Sequence, residues 1–220
     1  MTPANISNSP LLASDRFDID CRQCVRLANF LDEVKQQHPD YFCKPVPNFG
    51  DDKAQILLVG LAPGKHGANA TGRPFTGDYA GVLLYETLHH FGLASHAEAM
   101  RVDDGLQLNN IRICNAVKCL PPENKPTTAE INTCNQFLKA ELHDPNLKVL
   151  ISLGGIAHRA VLKAQGLTLS KYPFAHNVQT ALPSGLQLIS SYHCSRYNTQ
   201  TKRLTPEMFR AVFETALAAL

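Results

Sequence analysis

The densest run of chemistry-bearing residues is Gly60–Asp78, GLAPGKHGANATGRPFTGD, directly after the apolar run AQILLVG. Its Gly64-Lys65 pair evokes the phosphate loop of NTPases. That loop, however, is G-x-x-x-x-G-K followed by Ser or Thr, the hydroxyl serving magnesium. Here three residues part Gly60 from Gly64, and His66 stands where the hydroxyl belongs. No nucleotide cofactor is expected. Glycines at 60, 64, 67, 72 and 77 instead suit a loop that passes close to a base or a backbone.

Sulfur supplies a second constellation. Cys21 and Cys24 form C-x-x-C; Cys119 ends the run NAVKC, and Cys134 follows it fifteen residues on. C-x-x-C brings two thiolates to one centre, and the other two complete a set of four when the Pro-rich loop between them folds back. Four thiolates suit either structural zinc or an iron–sulfur cluster. Seven cysteines is an odd count, and no disulfide framework is expected in a reducing compartment. Cys114, inside an apolar strand, reads as core.

These residues need elements to position them. VRLANFLDEVKQQ within 21–37 carries helical periodicity and ends before His38-Pro39. Apolar strands are expected at 55–59, 111–117, from VLISLGG and from LQLISSYH. Helices are expected from AGVLLYETLHH, from a capping box at Thr127-Thr-Ala-Glu130, from GIAHRAVLKAQG with Gly166 as its C-cap, and from Thr205-Pro206-Glu207 to the C-terminus. This alternation predicts an α/β fold: three α/β/α layers around a central, mostly parallel, four-stranded sheet. Such sheets bind ligands beyond the carboxyl ends of their strands. GLAPGKHG, NAVKC, SLGG and SYHCSRYN lie at those ends, so a site is expected along that rim.

Composition excludes several classes. At 220 residues, 44% apolar and 18% charged, the chain is an ordinary globular one. A net charge of +2 neither requires nor excludes nucleic acid. No apolar run is long enough to span a bilayer, and MTPANISNSPLLASD lacks the regions of a signal peptide. The expectations are a cytoplasmic monomer with a polar, mobile tail at residues 1–15 and a single domain over residues 16–220.

GLAPGKHGANATGRPFTGD, NAVKCLPPENKPT and SYHCSRYNTQTKRLTP together resemble the signature segments of the iron–sulfur uracil-DNA glycosylases. The similarity is greatest to the b-type branch, family 5. Leu61 stands where a-type relatives carry an acid, and His66-Gly67, Asn69 and the ending at Asp78 also look b-type. With CRQC added, the resemblance spans residues 21–210. It implies an enzyme that flips uracil, and other deaminated bases such as hypoxanthine, out of DNA and cleaves the base–sugar bond. It also implies that Cys21, Cys24, Cys119 and Cys134 hold a 4Fe-4S cluster.

Carried onto this chain, the resemblance gives Asn115 as base reader, since a carboxamide offers both a donor and an acceptor. Phe75 is the stacking platform, and His193 is the donor to the negative charge that builds on the leaving base. Asp78 and Asn69 are expected to position water or to counter the sugar's positive charge. Gly60, Leu61, Ala62 and His66 are expected to complete the base pocket. Arg196, Tyr197 and Asn198 are expected to fill the gap left by the flipped nucleotide, Lys202 and Arg203 to meet DNA, and Arg73 either to meet DNA or to brace the loop through an ion pair. Two departures stand out: Gly64-Lys65 where small residues are usual, and Cys194 where the wider family has proline.

Overall fold

A computed structural model describes residues 17–220 of the chain; the expected tail, residues 1–15, lies outside them. The helices are α1 (Val25–Gln37), α2 (Ala68–Thr71), α3 (Tyr79–His90), α4 (Thr128–Glu141), α5 (Gly155–Ala164), α6 (Arg196–Gln200) and α7 (Pro206–Ala218). The strands are β1 (Phe49–Gly50), β2 (Ile56–Gly60), β3 (Ile111–Asn115), β4 (Val149–Leu153), β5 (Val178–Ala181) and β6 (Gln187–Ser191). They form one sheet in the order β1-β3-β2-β4-β6-β5.

The four expected strands are its parallel centre. Ile56 pairs Ile111 and Val149, and Val149 pairs Gln187. β2, β3 and β4 are buried at every position, as strands covered on both faces must be. Successive residues serve opposite layers. Ile56 and Leu58 pack with Leu84 and Leu88 of α3 and with Phe209 and Phe213 of α7. Leu57 and Val59 pack with Leu138 of α4 and Val161 of α5. The sheet extends the expected one by an antiparallel strand at each edge, β1 on β3 and β5 on β6.

Capping chemistry fixes the helix starts. Thr127 Oγ1 accepts the Glu130 N–H at 3.2 Å while Glu130 accepts the Thr127 N–H at 2.7 Å, the expected capping box. Glu130 also takes both arms of Arg26 from α1, at 2.8 and 2.7 Å. This bidentate pair ties the N-terminal helix to α4. Leu27, Leu31 and Val34 of α1 bury against Val117, Leu120 and Cys134, so α1 lies over the segment that follows β3. None of the helices described is long and apolar enough to cross a membrane.

Candidate active site

The carboxyl ends of the four parallel strands open into one cavity of about 420 Å³. Leu61 and Ala62 after β2, Asn115 ending β3, Gly154 and Gly155 after β4, and His193 after β6 all line it. Strand register sets the depth of each group: Gly60 pairs Asn115, and Leu153 pairs Ser191.

Asn115 is buried, and its carboxamide makes no hydrogen bond to protein among the described residues; its Oδ1 has no partner at all. A buried polar atom left unpaired costs about 1–3 kcal/mol, and at a cavity wall that cost is recovered when a ligand supplies the missing partner. Beside it, Phe75 is held at φ 54, a left-handed conformation that an aromatic residue adopts only under constraint. The constraints are visible. Tyr85 donates its hydroxyl to the Pro74 carbonyl at 2.8 Å, and Gly81 leaves room where any Cβ would run into the Phe75 carbonyl. The Phe75 ring stands 6.0 Å from that of His193 at 27°.

Gly60 packs behind this pair. A Cβ there would collide with Asn115 Oδ1 and lie 2.8 Å from the Phe75 ring. Gly60→Ala is therefore expected to displace both groups and lower turnover at this cavity by roughly 10²-fold, the cost of a misplacement of about 1 Å. Single-turnover cleavage, with thermal melting as the check on folding, measures it.

His193 lies deep enough that desolvation lowers its pKa to about 4. Its imidazole is therefore uncharged near neutral pH. Asn198 donates Nδ2 to the His193 carbonyl at 2.8 Å and steadies the turn. Asp78 also lines the cavity and caps α3 by accepting the Gly81 N–H at 2.9 Å. Burial raises its pKa, against the lowering effect of the Gly81 and Ala80 N–H groups.

Several expected residues lie elsewhere. Asn69 is buried but does not line the cavity; it donates Nδ2 to Cys43 Sγ at 3.4 Å, and its neighbour Ala68 faces the cavity instead. One residue step along α2 turns the side chain by about 100°, enough to point Asn69 inward. His66 is exposed outside the cavity: its Nδ1 shares a 2.8 Å hydrogen bond with the Tyr41 hydroxyl, and it lies edge-on to His38. Arg73 is buried and its guanidinium is engaged within the protein. Its guanidinium binds Asp104 at 2.8 and 2.6 Å, the Arg101 carbonyl at 2.7 Å and Thr76 Oγ1 at 2.7 Å, and it holds the Asp104 carboxyl well below its usual range. Its work is to brace the turn that presents Phe75. Lys65 reaches Gln37 on α1, at 3.4 Å, while Gly64 lines the cavity. Cys194 is buried in the core, where burial pushes its thiol up.

Along the rim, Arg196 lies over the Tyr79 ring at 4.9 Å and Arg203 over the Tyr192 ring at 4.6 Å. Tyr197 and Lys202 are exposed. Asn198, its amide donor bound to His193, braces that turn rather than facing outward. The linear reading did not single out Ser195, Gly154, Gly155 or Asn124 as site residues. The rule of strand ends reaches the first three; Asn124 lies inside NAVKCLPPENKPT, a segment the resemblance marks as a whole.

Cys21, Cys24, Cys119 and Cys134 line one small cavity beside α1. All four are free thiols. Burial, and then the neighbouring sulfurs, push Cys119 up to about 12, and burial foremost pushes Cys134 up to about 11. The Lys118 N–H points at Cys134 Sγ from 3.3 Å. Among the described residues no three His, Cys, Asp or Glu side chains converge tightly enough for one metal ion; the sulfurs stand around a space. Four cysteine sulfurs lining one space fit a metal centre held by thiolates, cluster or single ion alike.

Residues 47–217 match the family described as the Uracil DNA glycosylase superfamily. The chain is 48% identical over 198 residues to the type-5 uracil-DNA glycosylase of Thermus thermophilus, covering 87% of this chain and 90% of that protein. It is 42% identical to the type-5 enzyme of Mycobacterium leprae, over 89% and 90% of the two chains. To that of Pyrobaculum aerophilum it is 37% identical, over 91% and 89%. The match runs through the segments that follow β2, β3, β4 and β6 and build the cavity, and on it the chain belongs to the uracil DNA glycosylase superfamily.

Proposed function

We infer that this protein is a DNA repair hydrolase, a glycosylase that removes uracil from DNA by hydrolysing the bond between base and sugar and leaves an abasic site. The observation that carries the reading is the convergence of an unpartnered buried carboxamide, Asn115, an aromatic platform, Phe75, and an uncharged imidazole, His193, on one cavity.

A base within a duplex is out of reach, so it must be turned out into the cavity. The Asn115 carboxamide then accepts from the uracil N–H and donates to the adjacent carbonyl, and Phe75 stacks on its face. As the C–N bond lengthens, negative charge grows on the base and positive charge on the sugar. The His193 N–H, held in a water-poor pocket, stabilises the growing oxyanion, a contribution of about 3–4 kcal/mol for a well-aimed donor. Asp78 supplies the nearby carboxylate that orients the incoming water and counters the sugar's charge. Leu61, with no acid, leaves Asp78 as the carboxylate on the cavity wall. Arg196, Tyr197, Lys202 and Arg203, their side chains exposed in the segment that follows His193, meet the DNA around the vacated position. Deaminated purines such as hypoxanthine are further substrates in this reading.

Cys21, Cys24, Cys119 and Cys134 hold a 4Fe-4S cluster in this reading. Bound there, it supplies structural cross-linking between α1, α4 and the segment after β3, and no step of the hydrolysis passes through it.

Asp78→Asn separates two roles, because Asn caps a helix as well as Asp does. The variant is expected to melt close to the native protein yet to excise uracil roughly 10²-fold more slowly. In the native protein the carboxylate must be ionised and burial raises its pKa. The rate should therefore fall on acidification at a pH above the usual carboxylate range, and this limb should vanish in the variant.

The founding test is strand cleavage. An end-labelled duplex holding one uracil is incubated with protein and treated with hot alkali, beside a thymine control. A short product from uracil alone is expected; intact uracil duplex with folded protein would reject the reading.

A further inference from the structure

Among the described residues that line the cavity shared by the four cysteines, Lys118 is the one that carries a formal charge. It is only 2% exposed. A buried ammonium is costly unless an opposite charge answers it. Its side chain makes one hydrogen bond among the described residues, from Nζ to Asn48 Oδ1. Nζ also lies 5.4 Å from the centre of the Phe17 ring, which lines the same cavity. Neither partner is charged.

The carboxylates nearby have cations of their own. Burial raises the Glu141 carboxyl and Lys118 works against that rise, yet the two form no ion pair among the described residues, and Arg112 holds Glu141 at 3.2 Å. Arg26 gives both arms to Glu130, and Arg22 binds Asp32 at 3.1 Å on the exposed surface. The backbone of Lys118 is fixed on both sides: its carbonyl accepts the Val46 N–H at 2.7 Å, and its own N–H points at Cys134 Sγ from 3.3 Å. One residue thus brings a buried positive charge and a sulfur-directed donor to the same cavity wall.

Four thiolates around a zinc ion or a 4Fe-4S core leave a net charge of about −2. Away from water that charge interacts strongly with a fixed cation. We propose that Lys118 is a positioning residue for the thiolate-held centre: its ammonium balances the negative charge of the loaded site, its N–H fixes one sulfur, and together they retain the metal. This rests on the reading of Cys21, Cys24, Cys119 and Cys134 as ligands.

Lys118→Met keeps the length of the side chain and deletes its charge, Lys118→Arg keeps the charge, and Glu141→Gln removes the neighbouring carboxylate while sparing the ammonium. Each full chain is purified with its metal, and metal per chain is measured. Transfer of metal to excess phenanthroline, which takes iron or zinc, is then followed below the melting range of all the proteins. Lys118→Met is expected to release metal roughly 10–100-fold faster than wild type, the usual effect of losing a group that supports the ligands. Lys118→Arg and Glu141→Gln are expected to stay close to wild type. Where the metal is iron, the midpoint potential of Lys118→Met should move to more negative values, because the added electron loses a nearby cation. Lys118→Met is also placed in a Cys119→Ser background. There its effect on melting should be much smaller than in the loaded protein, since the charge it answers is gone.

Release at the wild-type rate in Lys118→Met overturns the proposal. So does equally fast release in Glu141→Gln, an equal fall in melting in both backgrounds, or a Lys118→Met chain that folds in neither; each assigns Lys118 to the packing around Arg112 and not to the centre. Release from Lys118→Arg as fast as from Lys118→Met removes the role of charge and overturns it as well. Wild type that holds neither iron nor zinc, even after reconstitution with iron and sulfide or with zinc, sinks the ligand reading itself.

Discussion

His193→Ala is expected to slow single-turnover excision of uracil by roughly 10²–10³-fold, the cost of deleting one preorganised donor to a developing oxyanion. Binding to undamaged duplex should change little, because the ring lies inside the cavity beside Phe75 and not on the exposed rim. The loss should therefore fall on the chemical step and not on affinity. A variant that bound DNA weakly but cut it at the native rate would remove His193 from the mechanism.

The same residue gives a pH signature. Burial lowers its pKa from 6.5 to about 4, so the folded protein holds fewer protons at this site than the unfolded chain does. By linkage, stability rises with pH wherever the unfolded state binds more protons. This component is fully present above pH 6.5 and is lost as the pH falls toward 4. His193→Ala should flatten the dependence of the melting temperature on pH within that window. Near neutrality the imidazole stays uncharged, so excision should show no inflection at the usual histidine pKa.

The parallel core was readable because ILLVG, IRICN and VLISL are apolar enough to be buried on both faces, and because the helices between them carry caps with a specific hydrogen-bond logic. The edge strands were not. β5, VQTA, is largely exposed and pairs through its backbone, so its side chains carry little pattern. β1 spans only two residues, and Gly50 is needed because a Cβ would meet the backbone of β3. The site divides in the same way. Asn115 and His193 stand at or just past strand ends, where topology alone directs side chains to a common rim. Asn69, His66 and Arg73 lie inside a loop whose path is set by left-handed turns at Gly72, Phe75 and Gly77. Spacing along the chain does not reveal which way such turns face. Asn124 escaped notice for the same reason: its position depends on two left-handed residues between two cysteines.

On the cluster reading, Cys119→Ser is expected to give a colourless protein that melts far below a brown native form. The four sulfurs come from three separate parts of the chain: the segment before α1, the segment after β3, and α4. A centre bound to all of them closes long loops, and binding energy available only to the folded arrangement adds directly to its stability. Without it, α1 keeps its apolar contacts with Val117 and Leu120 and its Arg26–Glu130 pair. It must then also accommodate the half-buried Cys24 and the buried Cys134, whose thiols burial foremost pushes up. Loss of a bound centre belongs to the rare class of changes worth about 4 kcal/mol or more, which at this chain length lowers the melting temperature by roughly 8–16 °C. Absorbance and melting should move together, and Cys43→Ser, outside the quartet, should leave the colour intact. A brown Cys119→Ser protein with native melting would remove Cys119 from the ligand set.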